Sequence, residues 1–405
     1  MVVVGGGPAG ASAAWTLASA GREVVVVDRA EFPRDKICGD GLTTGALRIL
    51  ETMGLDPAAI PSWQVTDEVV VRAPSGHEQG FALPRSRGVF AAAARRIELD
   101  ASVLDLARKA GADVREGAAV TATRPSADGG RVLLAVDGLG TVAARSVIAA
   151  DGMWSPVRKH LGLAVDGYRG EAHAFRQYFT DVGPRARREL YVSFDRDLLP
   201  GYLWSFPLPD GRANVGLGIH RGYRYSVRDM AGLWPELLAR PHVRAILGDR
   251  AVPEGPHRAW PIPARIGRTP LVGLGGRVLF VGDAAAAVDV MSGEGIGQAL
   301  QTGAWAAEAV LGAGGSPTIA ARRYAGRVEA DLVPDDRMSR ALVRLLHREA
   351  GAELAVRLAG ASAWTRRNFA RWLFEDEPRG IALTPARWRR DVLSRDGAFA
   401  TRTAP

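Results

Sequence analysis

Gly5-Gly6-Gly7-Pro8-Ala9-Gly10 stands between a valine run and an alanine-rich stretch, and a second valine run ends at Asp28. No other feature constrains the fold as much. The spacing predicts a strand over 2–4, a helix over 8–20 and a strand over 22–27, the βαβ order of a dinucleotide-binding unit. Gly5 permits the tight turn out of the strand, Gly7 lets backbone approach a pyrophosphate, and Gly10 lets the helix pack closely on the strand. The helix N-terminus then offers free N–H groups and partial positive charge to phosphates. Asp28 is placed to accept hydrogen bonds from ribose hydroxyls, and an acid there disfavours a 2′-phosphate.

Two further stretches complete such a site. Val278 to Val281 reads as a buried strand ending in Gly282-Asp283, and Met291-Ser292-Gly293-Glu294-Gly295-Ile296-Gly297 opens a helix running to about 311. Asp283 is placed to bind a ribityl or ribose hydroxyl. The N–H groups of Gly295 and Ile296 turn a positive helix end toward a flavin pyrimidine ring, which is anionic when reduced. Following the fingerprint, this is the second half of an FAD site. Asp151-Gly152 ends another apolar strand, and Asp151 is read as holding its turn through local bonds to backbone.

The chain of 405 residues is long enough for two lobes. Its pieces divide into a discontinuous α/β, Rossmann-like FAD-binding domain (1–60, 90–165 and 270–325), an antiparallel-sheet substrate domain (61–89 and 166–269) and a helical C-terminal region (326–405). Helices are expected over 42–53 and 95–110, and strands over 65–73, 80–88, 172–182, 189–195, 201–207 and 212–219. A hairpin is expected from 131–136 and 141–149 around Asp137-Gly138. No run of eighteen apolar residues occurs, and the chain opens directly on the fingerprint strand, so neither a transmembrane helix nor a signal peptide is expected.

Cys38 is the sole cysteine, which excludes intrachain disulfides and cysteine-rich zinc or iron–sulfur sites and makes a reducing cytoplasm the simplest setting. No metal site is expected. The net charge is +8, and only Lys36, Lys109 and Lys159 among the 52 basic residues are lysine. Arginine and alanine in that excess look like the coding bias of a GC-rich bacterial genome. The positive sign favours an anionic membrane surface over nucleic acid, for which no motif is present.

With these elements in place, the chain resembles flavoproteins of the p-hydroxybenzoate hydroxylase type. Among them it is most similar to the geranylgeranyl reductase family, which includes bacterial menaquinone reductases. The carrying residues are Pro33-Arg34-Asp35-Lys36-Ile37-Cys38-Gly39-Asp40-Gly41, the segment Gly201-Tyr202-Leu203-Trp204-Ser205-Phe206-Pro207, and Gly282-Asp283 with Gly293-Glu294-Gly295-Ile296. The resemblance implies that Ala9, Asp28, Cys38, Gly39, Gly41, Arg96, Asp283, Gly295 and Ile296 contact FAD. Arg95 competes with Arg96, and Ala119 is the pick beside the adenine. Asp289-Val290-Met291-Ser292 departs from the family's usual Asn-Pro-Leu-Thr, and Trp154 replaces a small or polar residue.

The implied activity is reduction of C=C bonds in a polyprenyl chain. Reduced flavin supplies a hydride to one alkene carbon, and a protein or water acid protonates the other. Tyr202, Trp204 and Phe206 share one side of a strand and form the expected substrate wall, with Phe175, Tyr178, Phe179, Tyr191 and Phe194 offered by neighbouring strands. Cys38 is the catalytic candidate; its loop carries Lys36 and Arg34, a setting that lowers a thiol pKa. Gly216-x-Gly218 lies between strands and Gly273-Leu274-Gly275-Gly276 precedes a strand, so no second dinucleotide fingerprint exists and the electron donor (NAD(P)H, ferredoxin or another carrier) binds transiently. An FAD monooxygenase or halogenase acting on an aromatic metabolite is the alternative.

In the tail, Arg337, Arg340, Arg344 and Arg348 share one helix face, with Met338, Leu342, Leu345 and Leu346 roughly opposite. Trp364, Phe369, Trp372 and Phe374 mix with Arg366, Arg367 and Arg371. Both patterns predict basic amphipathic helices in a membrane interface, peripheral on the inner face of the cell membrane.

Overall fold

The computed structural model describes residues 1–84, 86–374, 377–391 and 394–400. Its helices are α1 (Pro8–Ser19), α2 (Thr44–Thr52), α3 (Arg96–Lys109), α4 (Pro156–His160), α5 (Met230–Ala239), α6 (Pro241–Leu247), α7 (Ile296–Leu311), α8 (Pro317–Leu346), α9 (Glu349–Gly360) and α10 (Ala363–Leu373).

A six-stranded sheet carries the fingerprint. In spatial order its strands are Val272–Gly273, Val278–Phe280, Val147–Ala149, Val2–Val4, Val25–Val27 and Asp113–Arg115. All neighbours are parallel except at the Val272–Gly273 edge. Parallel sheets need cover on both faces, which is why these strands read as unbroken apolar runs. Small residues let the covering helices approach closely: a Cβ on Gly303 of α7 would stand 2.0 Å from the Ala9 carbonyl oxygen of α1.

The expected strand over 141–149 proves to be two. Gly140–Ala144 pairs with Val132–Val136, which in turn pairs with Val120–Pro125, in a small antiparallel sheet. Val147–Ala149 instead enters the central sheet between Val2–Val4 and Val278–Phe280. Residues 41–43 are likewise a short strand, and the following helix starts at Thr44, capped by the Thr43 hydroxyl.

The second large sheet has the order Val252–Ile262, Ala172–Thr180, Arg212–His220, Tyr202–Leu208, Leu190–Ser193, Glu68–Arg72 and Glu78–Ala82. One face is an ordinary core: Phe175, Phe179, Tyr191, Leu203, Val215 and Leu217 pack with Leu233, Trp234 and Leu237 of α5. The opposite face carries Tyr202, Trp204 and Phe206. Of the other aromatic residues expected beside that wall, Phe175, Phe179 and Tyr191 therefore face away from it.

Gly216 and Gly218 lie inside strand Arg212–His220, not between strands. They are the cross-strand partners of Trp204 and Tyr202. A Cβ on Gly216 would stand 2.2 Å from Trp204 Cζ2, so this glycine lets the indole lie flat across the neighbouring strand.

The tail closes over this same face. Val356 and Ala359 of α9 and Phe369, Ala370 and Leu373 of α10 pack with Val69, Val71, Phe81 and Leu190, and the Phe81 and Phe369 rings lie 4.8 Å apart. Beyond α10 the chain returns to the first lobe, where Ala398 pairs with Val89.

Candidate functional site

Between the two sheets and the tail lies a cavity of about 910 Å³. That is at the upper end of the roughly 300–1,000 Å³ of ligand and cofactor sites. Gly5, Gly7, Ala9, Asp28, Cys38, Gly39, Gly41, Arg96, Ala119, Asp283, Gly295 and Ile296 all line it, as do Tyr202, Trp204 and Phe206. Gly10 does not. A Cβ there would stand 1.8 Å from the Gly5 carbonyl oxygen, so Gly10 serves close helix-to-strand packing.

The residues present fit a dinucleotide. Helix α1 starts at an N-cap glycine with no side-chain cap, and its first turn faces the cavity at Gly7, Pro8 and Ala9. Asp28 accepts from the Gly6 amide at 2.7 Å and the Ala30 amide at 2.8 Å, fixing the turn beside the cavity. Arg96 faces the cavity, and Asp100 holds it at 2.6 and 2.7 Å. Arg34 joins the same carboxylate at 2.8 Å. Burial alone would raise the Asp100 carboxyl, but Arg96 and Arg34 outweigh it and hold it below its ordinary value. Arg95 turns away, over the Tyr178 ring and toward Glu254. Asp283 meets Lys36 at 3.5 Å, and the Lys36 ammonium sits 3.8 Å from the Trp260 ring centre. Asp151 accepts from the Val157 amide at 2.9 Å, a local bond that starts α4.

The Cys38 loop presses on the aromatic wall. A Cβ on Gly39 would lie 3.4 Å from Phe206, and one on Gly41 3.0 Å from it. The expectation of a lowered thiol pKa is reversed. Burial pushes the Cys38 thiol up, and nearby Arg96 only partly opposes this. A neutral, proton-bearing thiol therefore faces the cavity, rather than a thiolate.

Three buried or cavity-lining polar residues were given no role in the sequence reading. Asp40, fully buried and in a left-handed conformation (φ 66°), accepts from the Tyr178 hydroxyl at 2.7 Å and from Asn214 at 2.8 Å. Burial raises its carboxyl to about 6 against those bonds. Asn214 is a buried amide in mid-strand, between the alanine, valine and glycine residues of strand Arg212–His220, a signal that strand alternation could have given. Glu294 lines the cavity and accepts from the Gly297 amide at 2.6 Å. Burial lifts its carboxyl to about 7, against that bond and the charges of Arg379 and Arg96, with Asp289 adding to the rise.

The departure at Asp289-Val290-Met291-Ser292 has a structural role. Asp289 Oδ1 accepts from the Met291 and Ser292 amides and the Ser292 hydroxyl, while its Oδ2 accepts from Ser339 of α8. The loop before α7 is thus tied to the tail. Tyr202 donates its hydroxyl to the Ser292 carbonyl oxygen in the same loop.

The cavity's far end is apolar and built partly by the tail. Leu342 and Leu346 of α8, Val356 of α9, and Phe369, Trp372 and Phe374 face it. Leu342, Leu346, Phe369, Trp372 and Phe374 were expected at a membrane surface; they look inward because α8 to α10 lid the open sheet face. Arg340 is also not a free surface cation: it pairs with Asp336 at 2.8 Å and donates to the Ala264 carbonyl oxygen.

The FAD binding domain family matches residues 1–312. Menaquinone reductase of Mycolicibacterium smegmatis is 32% identical over 356 residues, covering 80% of this chain and 81% of that protein. Digeranylgeranylglycerophospholipid reductase 2 of Methanopyrus kandleri is 33% identical over 358 residues, covering 85% and 80%. Among solved structures, a geranylgeranyl bacteriochlorophyll reductase-like protein from Thermoplasma acidophilum superposes with a TM-score of 0.75 at 22% identity, over 96% of this chain and 98% of that one. A point mutant of the halogenase PltM, solved with FAD, shares the fold with a TM-score of 0.70 at 17% identity, over 94% and 84%. Glycine fingerprint, strand-end acids, cysteine loop and aromatic strand thus meet in one cavity, and the chain is an FAD-dependent oxidoreductase of the geranylgeranyl reductase family.

Proposed function

We propose that the protein reduces C=C bonds of a polyprenyl chain, as part of an isoprenoid quinone or another prenyl lipid. The observation that carries this reading is the apolar end of the cavity. Trp204, Phe206, Phe369, Trp372 and Leu373 give the cavity a largely aromatic, apolar slot that the Cys38 loop also lines. The names of the similar reductases support the same substrate class. FAD, when bound, supplies the hydride; the residues of the chain orient the alkene, exclude water and hold the proton. An isolated alkene is not polarised, so dryness and alignment are what the protein contributes. The test is anaerobic incubation of reduced enzyme with a prenyl quinone. Product containing added hydrogen supports the reading, whereas product that forms only with oxygen overturns it.

Two groups beside the slot hold protons, Cys38 and Glu294. The raised Glu294 carboxyl carries its proton below about 7 and loses it as pH rises through that value. Cys38, Arg96, Asp289, Tyr202 and Arg379 surround it electrostatically. Turnover is therefore expected to fall as pH rises above about 7. Glu294→Gln keeps an acceptor for Gly297 but has no titrating proton. It should remove that limb of the profile and lower turnover by about 10²-fold, within the usual range for a general acid. An unchanged profile would show that Glu294 only caps α7.

The electron donor is proposed to bind transiently, since Gly216 makes room for Trp204 and Gly218 lies within the same strand rather than in a second dinucleotide turn. Association with an anionic membrane surface is also proposed, through part of the expected set together with α9, since Leu342, Leu346, Phe369, Trp372 and Phe374 face the cavity. Among the described residues no helix is long and apolar enough to cross a membrane. Leu354 and Leu358 of α9 and Trp364 of α10 are 52%, 59% and 59% exposed, on helices whose other side lines the cavity. Exposed Arg344 of α8, Arg348 in the turn before α9 and Arg367 of α10 lie in the same tail. Lid helices apolar on both sides suit a substrate drawn from a bilayer. Flotation with anionic liposomes should recover the protein at low salt, lose it as salt rises, and fail for a Leu354→Ser, Leu358→Ser, Trp364→Ser triple variant. Equal recovery by neutral liposomes would refute the charge-dependent part.

A further inference from the structure

The Cys38 loop and the Trp204 strand are far apart in sequence, yet one buried side chain joins them. Asn214 is fully buried in strand Arg212–His220, paired across the sheet with Tyr178 on one side and Phe206 on the other. Its Oδ1 accepts from Trp204 Nε1 at 3.1 Å. Its Nδ2 donates to the Cys38 carbonyl oxygen at 2.9 Å and to Asp40 Oδ2 at 2.8 Å. Both amide protons and the amide oxygen are thus used, by three groups that border the cavity or hold its loop. Asp40 continues the chain of bonds: it also accepts from Tyr178, and its carbonyl oxygen receives the Ala94 amide at 3.0 Å.

We infer that Asn214 is a positioning residue that fixes the Cys38 loop in register with the Trp204 wall. The inference rests on the prenyl-reductase reading only for its kinetic readout. The chemistry of the site explains the amide. Between a neutral indole donor on one side and a carbonyl plus a carboxylate on the other, a side chain must accept once and donate twice. Among residues of this size only asparagine does so without a charge. A carboxylate there would oppose Asp40 and the Cys38 carbonyl oxygen, and an apolar residue would take the partner from the Trp204 indole and the Cys38 carbonyl oxygen and leave Asp40 with Tyr178 alone of its two side-chain donors.

The test uses FAD-loaded enzyme and three forms: wild type, Asn214→Asp, and Asp40→Asn combined with Asn214→Asp. In the double variant an amide and a carboxylate again face each other, with donor and acceptor reversed. Trp204 keeps its acceptor, Tyr178 accepts from the new residue-40 amide instead of donating to a carboxylate, and the bond to the Cys38 carbonyl oxygen is lost. The double variant is therefore expected to recover most of the melting temperature lost by the single one. Hydrogen–deuterium exchange over residues 36–41 should stay at least tenfold faster than wild type, and prenyl reduction at least tenfold slower. Recovery of exchange and turnover together with melting would overturn the inference, leaving Asn214 a stability residue. So would an unaltered exchange rate in both variants. If the single variant does not fold, the double variant carries both outcomes. A wild-type enzyme that reduces no prenyl substrate would end the functional reading, yet the exchange measurement would still decide the role of Asn214.

Discussion

Replacing Cys38 with alanine is expected to leave FAD bound and to lower prenyl double-bond reduction by about 10²-fold or more, in the range lost with a general acid or a misplaced reacting group. FAD should remain because the loop is held through backbone and neighbours. Asn214 bonds the Cys38 carbonyl oxygen, Asp40 is anchored by Tyr178, and Gly39 and Gly41 rest on Trp204 and Phe206. Turnover should fall because burial keeps the thiol neutral and proton-bearing at the point where the loop meets the aromatic slot. Rapid-mixing kinetics of flavin reoxidation by substrate separate the two effects. A Cys38→Ala enzyme that binds FAD and reoxidises at the wild-type rate would show that the cysteine only fills space.

The second large effect is expected at a position that touches no ligand. A methyl group at Gly10 would stand 1.8 Å from the Gly5 carbonyl oxygen and 3.2 Å from the Ala150 side chain. Backbone cannot yield by that much, so Gly10→Ala must push the start of α1 away from strand Val2–Val4. The amides aimed at the phosphates move with it. Overpacking of this kind costs about 1–3 kcal/mol or more. The variant should purify colourless or nearly so, with a lowered melting temperature. Asp283→Ala and Asp28→Ala are expected to weaken FAD retention less severely. The ratio of flavin to protein absorbance after gel filtration ranks the four proteins, and full flavin content in Gly10→Ala would contradict the packing argument.

These contrasts follow from what sequence pattern encodes. The FAD half was readable because its constraints are local: a turn requires glycine, a strand end presents an acid, and both recur at fixed spacing in Gly5 to Asp28 and in Gly282-Asp283. Strand alternation likewise placed Tyr202, Trp204 and Phe206 together. Features set by distant partners were not readable. Val147–Ala149 left its apparent hairpin because Val2–Val4 and Val278–Phe280 flank it. The thiol of Cys38 looked activated by its basic neighbours in sequence, yet burial dominates once the loop is folded under the sheet. The tail gave the clearest inversion. Helical periodicity identified apolar stripes on α8 and α10 but not what they face, and the open sheet face claimed Leu342, Phe369 and Trp372 for the cavity. Leu354, Leu358 and Trp364 were left on the surface instead.

The activity proposed for this cavity is saturation of prenyl double bonds. Its most direct test is mass spectrometry of a prenyl quinone recovered after anaerobic incubation with the chemically reduced wild-type enzyme. Product heavier than substrate by the mass of H2 for each bond saturated is expected, with the quinone head group unchanged and Cys38→Ala yielding almost none. Unaltered prenyl chains in the presence of fully reduced, FAD-loaded enzyme, across quinone and phospholipid substrates alike, would contradict it.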